Sequence, residues 1–291
     1  MSNMLFDLSG KIDKRKVEAL SIVKKASDAL NLPFLIVGAS ARDFILKHGY
    51  GIESPRMTED IDLAIEVASW RQFDRFIESL LSTGQFTSTP ERHRLRFDSI
   101  LMDIVPFGAI AGELGQISWP PEHEITMSVL GFREASEYSV MVKLSSDPEL
   151  DIKLSTLPCL SIMKIISWKE KYPERKKDAE DLLFIMQTYE EAGNFDRLYD
   201  KEQNLLKDEL FDTVLAGIRL LGRDMAMTAD PDTLDRVKTI LDGETGELSQ
   251  YRLVADMIIG TLAFTGKFDE ILFQVEKLRQ GLIEVTENRI P

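Results

Sequence analysis

Apolar and polar residues alternate with two different periods along the chain, and the period changes near residue 155. Between residues 14 and 30 the apolar positions are three or four apart, which predicts an amphipathic helix. The run FLIV at 34–37 predicts a short buried strand, and TEDIDLAIEV at 58–67 alternates as a half-buried strand does. From residue 158 the helical spacing continues to the end of the sequence.

The same patterns divide the rest of the chain into elements. Residues 70–81 have helical spacing, and ERHRLRF followed by ILMDIV predicts a β-hairpin whose turn is Asp98 and Ser99. Scattered alternation between residues 108 and 154 predicts irregular strands. In the last part of the chain, the clearest helical segments are 205–221, 234–241, 251–264 and 268–285.

These elements predict an α+β fold with two domains. We expect a mixed sheet flanked by helices in residues 1–157, followed by an all-helical C-terminal domain in residues 158–291. The change from mixed to purely helical periodicity is the evidence for this boundary, because no low-complexity linker marks it.

Composition excludes several classes of protein. The chain has 291 residues, 44% of them hydrophobic and 29% charged, which is typical of a soluble globular protein. The N-terminus has no signal-peptide pattern and no apolar run is long enough to span a bilayer, so we expect no membrane partner. The single cysteine, Cys159, excludes an internal disulfide and favours a reducing cytoplasm. The net charge of −14 argues against a broad nucleic-acid-binding surface but leaves a local basic cleft open.

Three groups of residues suggest a site. Alternation places Asp60 and Asp62 on one face of a strand, and Asp103 lies in the later apolar strand ILMDIV. Three carboxylates on one face repel each other unless cations lie between them, and Mg²⁺ takes carboxylate and phosphate oxygens together. Two such ions would serve an in-line phosphoryl displacement. Gly38 and Ser40 lie where a strand turns into a helix, where backbone N–H groups and a hydroxyl can hold triphosphate oxygens. A solvated Asp-x-Asp pair is the alternative.

The motifs VGASARDFIL, RMTEDIDLAI and LMDIVPFG resemble the signature of the nucleotidyltransferase superfamily. CLSIMKIISWKEKYPERKKDAEDLLFIM is similar to an element of one branch, the AbiEii-type toxins of toxin–antitoxin and abortive-infection systems. The resemblance covers about residues 30–187, and it implies a nucleotidyltransferase catalytic domain in residues 1–157. One departure is Ala39, which replaces the second glycine of the superfamily's usual pair.

The resemblance also implies roles for individual residues. Asp60, Asp62 and Asp103 would be catalytic and would ligate two Mg²⁺ ions, and Asp103 would help deprotonate the attacking hydroxyl. Gly38 and Ser40 would hold the nucleotide phosphates. Lys164 would neutralise the triphosphate, while Asp178 would act from the next helix and Asp181 shares its face. Apart from the resemblance, Lys164 can be a lysine at the edge of a helical face with its ammonium in water, and the two aspartates can be ordinary first-turn acids.

Several basic residues lie near these motifs. Arg42 and Arg56 flank the glycine–serine turn and the Asp-x-Asp strand, and we expect them to contact phosphate. With a two-residue turn, Arg94 falls opposite Asp103, so we expect it either to orient Asp103 or to meet incoming phosphate. A charged edge strand is the alternative. A second basic cluster, Lys169 to Lys177, could receive a phosphate backbone such as that of tRNA, although such runs are often only solvated.

The sequence thus predicts a Mg²⁺-dependent enzyme that transfers a nucleoside monophosphate from an NTP to a hydroxyl of tRNA or of a protein. By resemblance, its role would be that of a toxin controlled by a cognate antitoxin. One alternative is a nucleotidyltransferase for a small molecule such as an antibiotic, since an acidic surface attracts cationic substrates. CCA-adding enzymes are also similar in VGASARD and EDIDLA, but no arginine-rich second motif follows. A catalytically degenerate nucleotide-binding module is the non-enzymatic alternative.

Overall fold

The structure is a computed structural model that describes residues 4–56, 58–259 and 267–287. Its internal contacts divide the chain into two compact units, Met1–Thr156 and Leu157–Pro291. This division lies one residue from the boundary at which the hydrophobic period changes. In the described part of the chain, no helix combines the length and the apolar character needed to cross a membrane.

The first unit contains a mixed sheet with helices packed against it. The strands are β1 Met4–Asp7, β2 Phe34–Val37, β3 Ile61–Glu66, β4 Phe86–Ser88, β5 Arg94–Phe97, β6 Ile100–Phe107, β7 Gln116–Ser118, β8 Thr126–Ser128, β9 Val140–Ser146 and β10 Glu149–Leu154. The helices are α1 Lys14–Leu30, α2 Gly38–Asp43, α3 Trp70–Ser82 and α4 Phe132–Glu137, and α2 continues into a π-helical segment, Phe44–Gly49. The predicted fold class is confirmed.

Within the described residues, eight strands form one sheet in the order β1-β9-β10-β2-β3-β6-β5-β4, and β7 pairs with β8 separately. At the centre, β2 is antiparallel to β3, and β3 is parallel to β6. Alternate residues of the central strands, including Ile61, Leu63 and Ile104, are at most 1% exposed. Because this apolar face is buried, the intervening residues of β3 and β6 lie on the opposite face.

The hairpin of the first unit forms as the sequence predicts. Phe97 pairs with Ile100, so the two-residue turn is Asp98 and Ser99, and Asp98 has a positive φ of 52°. The Asp-x-Asp strand differs in one respect, because β3 begins at Ile61 and Asp60 lies just before it. The short helix α4 also interrupts the region predicted as irregular strands.

Every regular element of the second unit, within the residues that the structure describes, is a helix. Its helices are α5 Leu157–Glu170, α6 Lys176–Thr188, α7 Phe195–Tyr199, α8 Gln203–Asp208, α9 Thr213–Thr228, α10 Pro231–Thr245, α11 Arg252–Ile259 and α12 Lys267–Glu287. The predicted segments 234–241 and 268–285 lie inside α10 and α12. Helix α11 covers the first part of the predicted segment 251–264, and residues 260–264 lie outside the described residues.

The single helix predicted over 205–221 is wrong. The chain leaves the helix after Asp208, and Leu210 and Phe211 have positive φ values of 52° and 66°. Asp212 then begins α9 as an N-cap whose side chain accepts from the backbone N–H of Leu215 at 2.9 Å. Two helices therefore replace one, although the apolar spacing continues across the break.

Helices α9 and α12 approach closely at two glycines. A Cβ added to Gly281 would overlap the backbone carbonyl of Arg219, and one added to Gly222 would overlap the backbone carbonyl of Leu278. Because these neighbours are backbone atoms, they cannot move aside as a flexible side chain can. The glycines therefore set the distance between the two helices.

We predict that Gly281→Ala lowers the free energy of unfolding by about 3 kcal/mol or more, because the methyl group must push the two backbones apart. Urea denaturation measures this loss. Gly243→Ala is the matched control, since Gly243 is exposed on α10 and an added Cβ has no neighbour within 4 Å. The control should be neutral or stabilising by about 0.5–1 kcal/mol. Equal stability of the two variants would contradict the close approach.

Candidate active site

The glycine–serine turn is tied directly to the Asp-x-Asp strand. Gly38 has a positive φ of 63°, and a Cβ on it would overlap Oδ2 of Asp62 and lie 2.7 Å from its Cγ. The Ser40 hydroxyl donates to the carbonyl of Val37 at 3.2 Å and accepts from the backbone N–H of Asp62 at 3.1 Å. A glycine is thus required at position 38, both for its backbone conformation and for the space that Asp62 occupies.

These bonds change the expectation for Ser40. The hydroxyl has one proton, and it is donated to Val37. The side chain is also buried, with the residue only 1% exposed. In this arrangement the hydroxyl fixes the turn against β3, so the direct phosphate contact predicted for it would fall to backbone N–H groups of the turn.

Asp62 and Asp103 are neighbours on adjacent strands. They are paired in the parallel register of β3 and β6, so their side chains leave the same face of the sheet. Both residues are partly exposed, and Asp60 is partly exposed just before β3. The structure therefore places two of the three predicted carboxylates side by side on adjacent strands. The third, that of Asp60, lies two residues before Asp62 in the sequence.

Arg94 binds Asp103 with both arms of its guanidinium group. Nε donates to Oδ1 at 2.6 Å, and Nη2 donates to Oδ2 at 2.7 Å. The two residues are directly opposed in the hairpin, which confirms the register predicted from the two-residue turn. The hydrogen bonds to Asp103 raise the pKa of the Arg94 guanidinium above its already high ordinary value, so the group stays charged.

The residues fit a divalent cation, but the site is not assembled for one in this arrangement. Throughout residues 4–56, 58–259 and 267–287, no three Asp, Glu, His or Cys side chains form a group that could hold a metal ion. In this structure both oxygens of Asp103 accept hydrogen bonds from Arg94, and Asp60 lies just before β3. The donors themselves are suitable, because carboxylate oxygens are the ligands that Mg²⁺ prefers. The side-chain-free Gly38 also leaves room for the Asp62 carboxylate.

Arg42 is buried in the first unit, and the phosphate contact expected of it stays a prediction. Its side chain is 2% exposed, and its Nε and Nη2 donate to Oδ1 of Asp43 at 2.9 and 2.6 Å. Nη2 also donates to the backbone carbonyl of Arg56 at 2.9 Å. In this conformation, the buried guanidinium joins α2 to the segment before β3. The backbone of Arg56 takes part in this contact, and phosphate binding by its side chain stays a prediction.

Two residues that the sequence motifs did not indicate also contact the segment before β3. Asp43 accepts from the backbone N–H of Thr58 at 3.2 Å, and the Lys16 ammonium donates to the carbonyl of Thr58 at 3.0 Å. Burial lowers the pKa of Lys16, although the nearby carboxylates of Asp43 and Asp60 oppose this shift. For Asp43, the sequence contained a signal of this role, because an arginine stands directly before it. For Lys16, the sequence contained no such signal, because Lys16 lies 42 positions from Thr58.

A cavity of about 260 Å³ opens beside these residues in the first unit. It is lined by polar groups of both charges and by a few apolar side chains. Among the lining residues are Lys16, Ser40, Asp43, Phe44, Thr58 and Glu59. Its wall therefore includes both the glycine–serine turn and the segment that leads to Asp60.

In the second unit, Lys164 lies between two carboxylates. Its Nζ donates to Oδ1 of Asp178 and to Oδ2 of Asp181, both at 2.7 Å, and its side chain is only 12% exposed. Burial alone would lower the pKa of Lys164, but the two carboxylates outweigh it and the pKa is raised. The triad joins α5 to α6, so the ammonium of Lys164 is not solvated at a helix edge.

The basic cluster at 169–177 is partly neutralised. Lys169 pairs with Glu244 at 3.0 Å, and Lys176 lies 3.8 Å from Asp256. Arg175 lies 3.8 Å from Oδ2 of Asp178, and that oxygen is buried without a hydrogen-bond partner among the described residues. The cluster is therefore less attractive to a phosphate backbone than its sequence indicates.

We predict that Asp43→Ala lowers the free energy of unfolding by about 3–5 kcal/mol, because it leaves the Arg42 guanidinium buried without its carboxylate. Hydrogen exchange of the Thr58 amide should accelerate in the same variant, since its acceptor is lost. Glu53→Ala is the control, because that carboxylate is 74% exposed where it pairs with Lys47, and its loss should cost less than about 1 kcal/mol. Unchanged exchange at Thr58 would contradict the role given to Asp43.

The sequence and structure were compared with known proteins. Residues 29–264 match the family described as nucleotidyl transferase AbiEii toxin, type IV toxin–antitoxin system. No curated protein matches the sequence. One similar structure is the antibiotic-resistance factor ANT(2'')-Ia, with 15% identity and a TM-score of 0.36 over 68% of this chain and 98% of that one.

Two further structures are similar at the same level of identity. A nucleotidyltransferase-like protein from Paracoccidioides brasiliensis has 15% identity and a TM-score of 0.38, over 70% of this chain and 93% of that one. The Thermotoga maritima CCA-adding enzyme complexed with tRNA has 15% identity and a TM-score of 0.28, over 98% and 75%. All three TM-scores are below 0.5.

The family match covers more than half of the chain, and it includes every residue from Gly38 to Asp181 that the sequence motifs single out. It confirms the resemblance found in the motifs around Gly38, Asp62 and Asp103. The protein belongs to the AbiEii family of nucleotidyltransferase toxins.

Proposed function

We propose that this nucleotidyltransferase moves a nucleoside monophosphate from an NTP to a hydroxyl of tRNA or of a protein in a Mg²⁺-dependent reaction. The observation that carries the proposal is the register pairing of Asp62 with Asp103, directly beside the Gly38 backbone. Two carboxylates on one face next to a side-chain-free turn suit a site that binds cations and phosphate together.

The residues of the first unit have distinct roles in this proposal. Asp60, Asp62 and Asp103 would hold two Mg²⁺ ions, which when bound would supply electrostatic stabilisation of the attacking and leaving oxygens. Backbone N–H groups of the turn from Gly38 to Ser40 would bind phosphate oxygens. Asp103 would also act as a general base that accepts the proton of the attacking hydroxyl.

The biological role we propose is that of a toxin whose cognate antitoxin restrains it. Family membership supports this role. A second candidate function is transfer to a small cationic molecule such as an antibiotic, and the observation that favours it is the net charge of −14. A degenerate binding module is less favoured, since Asp60, Asp62 and Asp103 are all present.

The first prediction of the proposed activity concerns the acids that would bind the metal ions. Asp62→Asn and Asp103→Asn should each lower transfer by about 10³-fold or more, because each removes a charged ligand worth several kcal/mol in the transition state. The assay incubates the protein with each labelled NTP, Mg²⁺, and either total tRNA or cell extract. Label in RNA, protein or a small molecule identifies the acceptor.

Asp98→Asn is the matched control, because Asp98 is in the same hairpin with a side chain that is 66% exposed. It should transfer at the wild-type rate. No transfer by the wild-type protein to any acceptor, or wild-type rates for Asp62→Asn, would contradict the proposed activity.

The second prediction concerns Lys164, which we propose assists transfer through its charge, together with Asp178 and Asp181. Lys164→Met leaves two buried carboxylates without their ammonium and should cost about 3–5 kcal/mol of stability. That loss alone does not separate a structural role from a catalytic one, so the informative variant is Lys164→Arg.

Lys164→Arg keeps a positive charge between the two carboxylates but replaces the ammonium with a larger planar group. We expect it to fold with a circular dichroism spectrum like that of the wild type and to transfer at least about tenfold more slowly per folded molecule. A folded Lys164→Arg protein with wild-type kcat and KM would show that Lys164 has a structural role only.

A further inference from the structure

The contact between Arg94 and Asp103 has the geometry of a strong ion pair at an accessible place. The guanidinium donates in parallel to both carboxylate oxygens, at 2.6 and 2.7 Å. The side chains are 30% and 21% exposed, so the pair is not sealed in the core. The Arg42–Asp43 pair is more deeply buried, since its side chains are 2% and 8% exposed.

The position of this pair matters because Asp103 is next to Asp62. Their strands are neighbours in register, about 4.8 Å apart, and like charges at that distance repel unless a cation lies close by. Arg94 supplies a positive charge at the carboxylate where the proposed function requires a divalent ion. The guanidinium and the ion therefore compete for the same oxygens.

We propose that Arg94 is a positioning residue that holds Asp103 in the metal-free protein and is exchanged for the divalent ion when the site is filled. This proposal rests on the proposed function. Asp103 would hold the ion through an oxygen that now accepts from Arg94, and the repulsion between the ion and the guanidinium would favour movement of the Arg94 side chain away from it. The released guanidinium then lies at the edge of the site, where it can meet a phosphate of the NTP.

The location of Arg94 allows this movement. It is the first residue of β5, and residues 89–93 before it lie outside the regular strand. Its backbone is held by the ladder with β6, whereas the side chain reaches Asp103 through rotatable bonds and is partly in solvent. Exchange therefore requires a change of side-chain rotamer and leaves the sheet intact.

The test is calorimetric titration of the full-length protein with MnCl₂ alone, without nucleotide. Arg94→Met should bind Mn²⁺ roughly tenfold more tightly than the wild type, or better, because a competing charge beside the site is removed. Asp103→Asn should bind it more weakly. Without metal, Arg94→Met should melt at a lower temperature than the wild type, and Mn²⁺ should raise its melting temperature by more.

Arg96→Met is the matched control. Arg96 is on the same strand with the same alternation as Arg94, is exposed, and pairs with Leu101 rather than with an acid. It lowers the net charge equally, so a wild-type affinity in this control assigns the effect to the contact with Asp103. If Arg94→Met binds Mn²⁺ with wild-type affinity or more weakly, the exchange does not occur and the proposal is overturned.

The two proposals fail in different ways. If the wild type binds Mn²⁺ and transfers label but Arg94→Met does not bind Mn²⁺ more tightly, only the exchange fails. If neither the wild type nor Arg94→Met binds Mn²⁺, the metal-dependent function and the exchange both fail. If binding follows the predicted order but no acceptor is labelled, the exchange is supported and the proposed activity is not.

Discussion

The parallel pairing of β3 with β6 is the contact on which the candidate site depends. The apolar residues Ile61 and Leu63 pair with Met102 and Ile104, and all four are at most 1% exposed. Because side chains alternate between faces, a slip of one residue would bury an acid and expose this apolar row. The free energy of burying the apolar row therefore fixes the position of Asp62 relative to Asp103, although neither acid contributes to it.

Around this pairing, the protein balances its acids locally. Asp103 has Arg94, Asp43 has Arg42, and in the second unit Asp178 and Asp181 share Lys164. An isolated buried carboxylate would be costly, so each of these cations lowers the free-energy cost of placing an acid at its position. These groups sum to a single negative charge, so the net charge of −14 is carried mainly by the rest of the chain.

The local part of the site could be predicted from the sequence, because strand alternation and turn length are local rules. The two-residue turn at Asp98 and Ser99 was sufficient to place Arg94 opposite Asp103. The burial of Arg42 could not be predicted in this way, since it depends on how the segment ending at Thr58 folds back over α2. Motif position alone does not distinguish an arginine that faces a ligand from one that supports the backbone.

The break between α8 and α9 could not be predicted from the hydrophobic pattern for a related reason. The apolar period runs through it, and Leu210 and Phe211 are residues that seldom adopt a positive φ. The side chain of Asp212, rather than a glycine or a proline, determines where α9 begins. For Lys164, the helical pattern around the residue was correct. Its hydrogen bonds to two carboxylates could not be predicted, because they depend on the packing of α5 against α6.

The hairpin also affects the order in which the site is assembled. Arg94 and Asp103 are nine positions apart in the sequence, whereas Asp62 and Asp103 come from strands separated by α3, β4 and β5. Short loops close with less loss of chain entropy than long ones, so the hairpin contact is favoured before the long-range one. Loop-closure entropy therefore favours an order of assembly in which Asp103 is already paired with a guanidinium group when β6 meets β3.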